Sequence, residues 1–416
     1  MSRCFLYYIC YTIISIACNE NTSQNKANEK ADKREAPSSY SDDRNFLEKY
    51  IPVIELRKGP SAILIVPQYQ ARIMTSTATG DSGYSFGWIN YDLIESKKLK
   101  QHINPFGGEE RLWLAPEGGQ FSFFFKKDVP FDFDNWFTPK EFDTDSFDVS
   151  SVSDTSALFK KDIVLNNRSG YSFAIHIDRK ISLLDRNKIE ENLKTQIGSE
   201  VQAIAYESSN TLVNSGKNPW TKQTGAPAVW LLGMLKPSPN TTVVLPIGKS
   251  KHSDTTAIVH DKYFGPIPPD RWKIEPDHAY LKADGKFRGK VGIPPQHTTN
   301  FIGSYDSGSG VLTLLQCSWP QNATEFPNSA WEEQKDPFSG DAFNAYNDGP
   351  LKDGTQLGPF YELESLSPAA FLTPGKSLTH IQITYHLQGA ENVLNNIAEK
   401  VLGVGLQSIK NAFKTN

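Results

Sequence analysis

The sequence predicts a mostly β protein, built as a large sandwich or barrel, and three observations support this. Short apolar or alternating runs separated by Gly, Pro, Asn and Asp recur from Phe46 onward, and their length and β-branched content are typical of strands. Only two segments have helical spacing. No repeat of roughly 20 to 50 residues is visible, which disfavours propellers and solenoids. Many strands with few helices favour a sandwich or barrel, and 416 residues suffice to bury a sizeable core.

The first 17 residues have the pattern of an export signal. Arg3 precedes an apolar run ending at Ala17, and this run is shorter than the ~20 apolar residues that a membrane span needs. A small residue before Cys18 suits a lipoprotein signal peptidase, so Cys18 is predicted to be the lipidated first residue of an outer-membrane lipoprotein facing the periplasm or the cell surface. The alternative is an ordinary cleaved signal, because Ser15 stands where a Leu-like residue is usual. Both predict export.

Residues 18–45 are predicted to be a flexible tether, since a segment with almost no large apolar side chain cannot offset its ordering entropy by burial. The mature chain keeps only Cys18 and Cys317, which excludes a disulfide framework. A net charge of -4 gives no basic surface for nucleic acid, and that class of protein is excluded. The aromatic content of 12% favours either sugar-stacking clefts or simply β propensity.

Residues 46–390 are predicted to form one domain, and the segment 391–416 a C-terminal helix. The first helical segment, LDRNKIEENLKTQIG, has Asp185 as a cap and Ile189 at helical spacing. In the second, Gly403 and Gly405 are expected to bend or end the helix. The predicted strands are SAILIVPQY, ARIMTSTA, QFSFFFKK, DIVLNN, SFAIHIDRKISLL, TTVVLPIG, GVLTLLQCSW and HIQITYHLQG.

Standard signals for phosphate loops, nucleophile elbows and zinc motifs are absent, which favours acid/base chemistry by ordinary side chains. No cofactor is predicted, no metal ligands are assigned, and any metal requirement and the oligomeric state stay open. In the block 104–125, paired glycines bracket a charged and aromatic group that suits either a cleft rim or a structural turn with a surface ion pair. That group is Glu109, Glu110, Arg111, Trp113 and Glu117.

A later segment gathers polar side chains around a hairpin predicted to turn at Asp284-Gly285. Alternation on such a hairpin places His278 and Tyr280 on one face and Arg288 and Lys290 on the other, so that these residues cannot all serve one cleft. The whole cluster is His278, Tyr280, Lys282, Arg288, Lys290 and His297.

The segment FYELESL carries two carboxylates two residues apart. Period-2 alternation puts Phe360, Glu362 and Glu364 on one face of the predicted strand. Such a pair either raises one another's pKa, as a general base requires, or lines the solvent face of an edge strand. The residues alone favour the solvent face.

The blocks NTLVNSG, NPFGGEERLWLAPEGG and FYELESLSPAAFLTPGKSLTHIQITYHL resemble galactose-mutarotase-like domains and their exported relatives in Bacteroidetes-type bacteria, over most of residues 46–390. The resemblance implies a β-supersandwich with an open sugar-binding cleft on one sheet. It makes Glu362 or Glu364 the counterpart of the family's base. The histidine segment of true mutarotases is absent, so that the candidates for its acidic histidine are His297 and His102.

Similar lipoproteins accompany polysaccharide-utilisation systems, and the fold is similar to that of polysaccharide lyases. The resemblance therefore implies dehydration or β-elimination on a uronate-containing oligosaccharide, such as those of ulvan. The alternatives are a cofactor-free aldose epimerase and a noncatalytic glycan-binding lipoprotein.

Elimination from a uronate needs a cation that neutralises the carboxylate, a base for the proton and an acid for the leaving oxygen. The expected cation is Arg111, followed by Arg288 or Lys290, with Glu110 and Trp113 beside the substrate. The expected base is Glu362, Glu364 or His297, and the expected acid is Tyr280 or His278.

Overall fold

The structure is a computed structural model that describes residues 39–249, 258–320 and 322–414. The predicted signal 1–17, Cys18 and the predicted tether up to residue 38 lie outside the described residues. The strands within the described part are β1 (Ile54–Lys58), β2 (Ser61–Val66), β3 (Arg72–Thr77), β4 (Arg111–Ala115), β5 (Asp148–Val152), β6 (Ser156–Asn166), β7 (Ser172–Leu183), β8 (Gln202–Asn214), β9 (Ala228–Leu235), β10 (Thr241–Pro246), β11 (Trp272–Ile274), β12 (His278–Lys282), β13 (Gly289–Ile293), β14 (Phe301–Asp306), β15 (Val311–Cys317), β16 (Phe343–Asn347), β17 (Tyr361–Leu366) and β18 (Ser377–Gln388).

The helices among the described residues are fewer than the strands, as the sequence predicts. They are α1 (Tyr40–Tyr50), α2 (Tyr91–Ser96), α3 (Arg186–Leu193), α4 (Glu391–Leu402) and α5 (Leu406–Asn411). The side chain of Asp185 caps α3, and Ile189 is buried beneath it, so that the predicted helix is confirmed. Among the described residues, no helix is long and apolar enough to cross a membrane.

Two antiparallel sheets dominate the fold. Ten strands follow the order β11-β12-β10-β14-β15-β18-β8-β7-β6-β5, and five follow the order β13-β16-β17-β9-β4, while β1 to β3 form a smaller third sheet. The ten-stranded and five-stranded sheets pack face to face, since Leu245 and Leu315 from one share an apolar cluster with Val291 and Leu363 from the other. This arrangement confirms the predicted mostly β class.

The predicted C-terminal helix is two helices. Gly403, with a φ of 72°, ends α4 in the left-handed conformation, and α5 begins at Leu406. Leu394 and Ile397 of α4 and Ile409 of α5 pack with Leu314 of β15 in one cluster. The pair of helices therefore covers the face of the ten-stranded sheet that points away from the five-stranded sheet.

Strand β17 lies between β16 and β9 in the middle of the five-stranded sheet. Glu362 and Glu364 are 4% and 0% exposed, so the solvent face of an edge strand, which the residues alone favoured, is wrong. The predicted alternation is confirmed, because Tyr361 and Leu363 point into the core between the sheets. The two carboxylates were expected to face solvent because the sequence of one strand does not show which strands lie beside it in the sheet.

Three further expectations need correction. Helix α1 begins inside the predicted tether, because Ser39 and Asp42 form a capping box and Tyr40 is buried. The run QFSFFFKK is not a strand, since the Ser122 hydroxyl accepts hydrogen bonds from the backbone of two of its phenylalanines in a turn. The hairpin at Asp284-Gly285 does not form either, because β12 pairs with β10 and β11 whereas β13 pairs with β16 in the other sheet.

Candidate active site

The outward face of the five-stranded sheet is the floor of a cleft. Its space, including the open mouth, is about 530 Å³. The residues that line it are Ile103, Arg111, Trp113, Glu117, Phe133, Trp136, Trp230, Leu232, Met234, Phe264, Arg288, Lys290, Trp331, Tyr346, Leu357, Phe360, Glu362 and Glu364. This set combines a broad aromatic surface with six charged side chains.

Strand register brings the charged residues of the floor together from strands that are not neighbours. Glu364 on β17 is level with Arg111 on β4, and Glu362 is level with Lys290 on β13. One strand intervenes in each case. The ion pairs are crossed relative to these rows, since Arg111 contacts Glu362 and Lys290 contacts Glu364. Long basic side chains therefore reach diagonally over the floor towards the central strand.

Glu364 is held in place by two donors and keeps one free oxygen. Its Oε2 accepts hydrogen bonds from Lys290 Nζ and from Trp230 Nε1, each at 2.9 Å. Its Oε1 is buried and has no hydrogen-bond partner within the described ranges. Two donors on one oxygen fix the orientation of the carboxylate, and the second oxygen keeps its capacity to accept a hydrogen bond.

Glu362 has a different environment from Glu364. Arg111 Nη2 lies 2.9 Å from its Oε1. Burial nevertheless raises the pKa of Glu362 to about 8, because the stabilising charge of Arg111 is opposed by the negative charge of Glu364. Burial therefore favours the protonated form of Glu362 more than that of an ordinary carboxyl. Burial also raises the pKa of Glu117, on the wall of the same cleft.

The three cations of the cleft differ in what they contact. Burial alone lowers the pKa of Lys290, but Glu364 and Glu117 outweigh it and the net pKa is raised, so Lys290 stays charged. The Arg111 guanidinium lies 4.3 Å from the Trp113 ring centroid, and its Nε is unpartnered. Arg288 lies 4.1 Å over Phe264, and among the described residues it has neither an ion pair nor a hydrogen-bond partner.

One wall of the cleft is a row of stacked aromatic rings. Phe133 and Trp136 stack with centroids 5.9 Å apart, and Trp136 and Trp331 do so at the same distance. The Nε1 atoms of Trp113 and Trp136 are buried without a partner in the part of the chain that the structure describes. An apolar aromatic wall is a surface on which the carbon–hydrogen face of a pyranose ring can pack.

Most of the charged residues selected from the sequence meet in this cleft. The structure places six of them there, together with the selected Trp113; the six are Arg111, Glu117, Arg288, Lys290, Glu362 and Glu364. Alternation predicted that His278 and Tyr280 lie apart from Arg288 and Lys290, and they do. They are separated because they belong to two different sheets and not to two faces of a hairpin.

Four of the predicted site residues lie elsewhere and are corrected. Glu110 points between the sheets, where Arg179 lies 2.8 Å from it. His278 and Tyr280 are on β12 of the ten-stranded sheet, and the Tyr280 ring packs in the cluster beneath α4 and α5. His297 is buried outside the cleft lining. His278 and Tyr280 lie away from Lys290 because the chain changes sheets between β12 and β13.

The aromatic wall of the cleft was not predicted from the sequence. Trp136 and Trp331 come from long connections, and Phe133 begins a short 3₁₀ turn at Phe133–Asn135. The available signal was the density of aromatics in the polar segment FDFDNWF, which has no strand pattern to bury them. Among the described residues, no group of three or more His, Cys, Asp and Glu side chains is arranged to hold a metal ion.

Fold and site together define a mostly β protein with a cleft of buried carboxylates, cations and aromatic rings on an open sheet face. The chain belongs to the Family of unknown function (DUF6786), whose model matches residues 38–413. No curated protein matches it in sequence.

Several solved structures are similar in backbone fold. A galactose mutarotase-like protein from Lactobacillus casei ATCC 334 is 10% identical, with a TM-score of 0.44, covering 81% of this chain and 100% of its own. The galactose mutarotase related enzyme from Lactobacillus acidophilus is 10% identical, with a TM-score of 0.42, covering 81% and 98%. The Slr1438 protein from Synechocystis sp. PCC 6803 is 9% identical, with a TM-score of 0.48, covering 82% and 96%.

Proposed function

We propose that the cleft is an active site that eliminates water from a uronate unit of an oligosaccharide, such as those derived from ulvan. The observation that carries the proposal is the pair of carboxylates on β17. Glu364 accepts hydrogen bonds from Lys290 and Trp230, whereas burial raises the pKa of Glu362 to about 8. Two carboxylates in one cleft whose environments separate their protonation states are the arrangement that acid and base roles require.

The charge of the cleft supports an acidic sugar. Three basic and three acidic side chains line it. Burial raises the pKa of two of these acids, Glu362 and Glu117, so the three cations are not fully balanced and a substrate carboxylate is favoured. Arg111 is engaged by Glu362, so Arg288, the cation without a described partner, takes the neutralising role that the sequence assigned first to Arg111.

The proposed step is a β-elimination. Glu364 removes the proton on the carbon next to the substrate carboxylate, and Arg288 stabilises the negative charge that spreads onto that carboxylate. The electron pair forms the carbon–carbon double bond while the neighbouring carbon–oxygen bond breaks. Glu362 gives its proton to the departing hydroxyl, which leaves as water. Proton exchange with solvent then restores protonated Glu362 and ionised Glu364.

Mass spectrometry of uronate-containing oligosaccharides after incubation tests this function. Loss of one water and the ultraviolet absorbance of an unsaturated uronate are expected, and Glu364→Gln should lower turnover by about 10²–10⁴-fold. The control is Glu191→Gln on the exposed surface of α3, which should leave turnover unchanged. Unchanged substrate masses across the uronate panel, with the protein folded, would refute the proposal.

A cofactor-free aldose epimerase is the second candidate, because the same acid and base can move protons between the ring oxygen and the anomeric hydroxyl. Anomer exchange observed by NMR, without any change of mass, would select it. A noncatalytic glycan-binding protein is the third, since the aromatic wall alone suffices to hold a sugar. Binding without either reaction would select that class.

We further propose that Cys18 is lipidated and tethers the protein to the outer membrane. The support is the short apolar run before Ala17 and Cys18. Metabolic labelling with a palmitate analogue should label the wild-type protein and not Cys18→Ser. Equal labelling of both proteins would contradict the proposal, and so would release of the wild type into the soluble fraction.

A further inference from the structure

A second depression adjoins the cleft. Its space, measured with its open mouth, is about 970 Å³. Four residues line both the cleft and this depression: Ile103, Phe133, Arg288 and Leu357. Because the two share a wall and both open to solvent, one ligand can occupy them together. We call this second depression the side groove.

The wall of the side groove on the β17 side is held in a fixed shape. It belongs to the connection from β16 to β17, the strand that carries Glu362 and Glu364. Gln356 Nε2 donates to the carbonyls of Gly285 and Gly358, at 3.0 and 3.1 Å. Asp348 accepts a hydrogen bond from the Gly358 backbone at 3.0 Å. A groove with a pinned wall costs little ordering entropy when a ligand binds.

The lining of the side groove combines apolar faces with hydrogen-bonding groups. Phe133 and Leu351 are each 44% exposed, which is high for large apolar side chains. Gln101 and Thr355 add an amide and a hydroxyl beside them. The lining also includes charged side chains of both signs. A pyranose has an apolar carbon–hydrogen face and hydroxyls around its rim, so this mixture suits a sugar ring better than a purely aliphatic ligand.

Arg288 lies at the junction of the two spaces and has no ion-pair partner among the described residues. An acidic sugar whose carboxylate binds Arg288 would have its neighbouring unit at the entrance of the side groove. We propose that the side groove is a second sugar subsite, so that the protein acts on chains of at least two units rather than on a monosaccharide. This inference rests on the proposed function for the position of the first unit.

Calorimetry with an inactive protein tests the subsite separately from catalysis. In Glu364→Gln, we would titrate glucuronic acid and two disaccharides that carry glucuronate at either end. At least one disaccharide should bind about tenfold more tightly than the monosaccharide, as one further stacked ring contributes roughly that factor. Adding Gln101→Trp, which fills the exposed side groove, should abolish this gain and leave the affinity for the monosaccharide unchanged.

The control for bulk is Val164→Trp on the exposed side of β6, which should leave the gain intact. The subsite is refuted if neither disaccharide binds more tightly than the monosaccharide, or if Gln101→Trp retains the gain. A chain-length gain in binding, with no turnover by the wild type, would keep the subsite and refute the elimination. Equal turnover of the monosaccharide and the disaccharides would keep the elimination and refute the subsite.

Discussion

Glu110 and Arg111 are consecutive residues, yet they belong to two buried charge clusters on opposite faces of the five-stranded sheet. Between the sheets, Glu110 accepts from Arg179 at 2.8 Å and from Gln382 at 2.7 Å, one donor on each oxygen. Arg179 also donates to the Asn210 side chain and to the Ala71 carbonyl. On the other face, Arg111 keeps an unpartnered Nε.

The two charge clusters differ in whether their polar atoms have hydrogen-bond partners, and not in how deeply they are buried. A charged pair in which every oxygen and every nitrogen has a hydrogen-bond partner stabilises one packing of the two sheets. In the cleft, Arg111 Nε, Glu364 Oε1 and Arg288 Nε are left over among the described residues, and each is buried. Unpaired polar atoms that converge on an open space indicate a binding site more reliably than charge alone.

The largest expected effect is on stability and compares the two arginines by the same substitution. Arg179→Met leaves Glu110 buried without its cation and should lower the free energy of unfolding by about 3–5 kcal/mol. Arg111→Met should cost only about 1–2 kcal/mol, because burial already favours the protonated form of its partner Glu362. Chemical denaturation of both variants measures the two free energies of unfolding. Equal losses would contradict the proposed difference between the two clusters.

The next effect concerns the unpaired cation. Arg288→Met should weaken binding of glucuronic acid by about 10- to 100-fold, since a charge-assisted hydrogen bond is lost. The cost in stability should be about 1 kcal/mol or less, because the substitution removes the contact with the Phe264 ring and breaks no ion pair among the described residues. Binding is measured by calorimetry, with glucose as the neutral control. An equal loss of affinity for glucose would show that Arg288 maintains the shape of the cleft and does not bind the substrate carboxylate.

The pH dependence of catalysis should further distinguish the charge cluster of the cleft from the cluster between the sheets. If Glu362 donates a proton, kcat/KM should fall about tenfold per pH unit above about 8, and Glu362→Gln should remove this limb from the profile. Glu362 releases its proton near 4.5 when unfolded and near 8 when folded. Its contribution to stability is therefore complete below 4.5 and is lost as the pH rises to about 8. A profile that stays flat up to pH 9 would exclude Glu362 as the donor.

The smallest effect tests a single hydrogen bond of the cleft. Trp230→Phe removes the indole donor to Glu364 but leaves the Lys290 contact, so kcat/KM should fall by about threefold to tenfold. The matched control is Trp220→Phe, another buried tryptophan that lies outside the cleft. A loss of activity as large in the control would mean that both substitutions act through packing.

The sequence predicted much of the fold and part of the site. Seven of the eight predicted strands form, and the alternation of Phe360, Glu362 and Glu364 on one face was correct, because side-chain period is a local property of the chain. The exception, QFSFFFKK, has strand-like residues but packs as turns. Arg111 and Glu364 were selected from separate segments, and their meeting in one cleft is a result of sheet order.

The sequence by itself determined the strand-rich class, the caps of the helices and the residues that carry charge in apolar surroundings. The tertiary structure decided which of those charges share a space. Glu110 and Arg111 are neighbours that separate, while Arg111 and Glu362 are 251 positions apart and lie 2.9 Å from each other. Local preferences act over a few residues, whereas strand pairing joins distant segments, and only pairing determines which polar atoms stay unsatisfied.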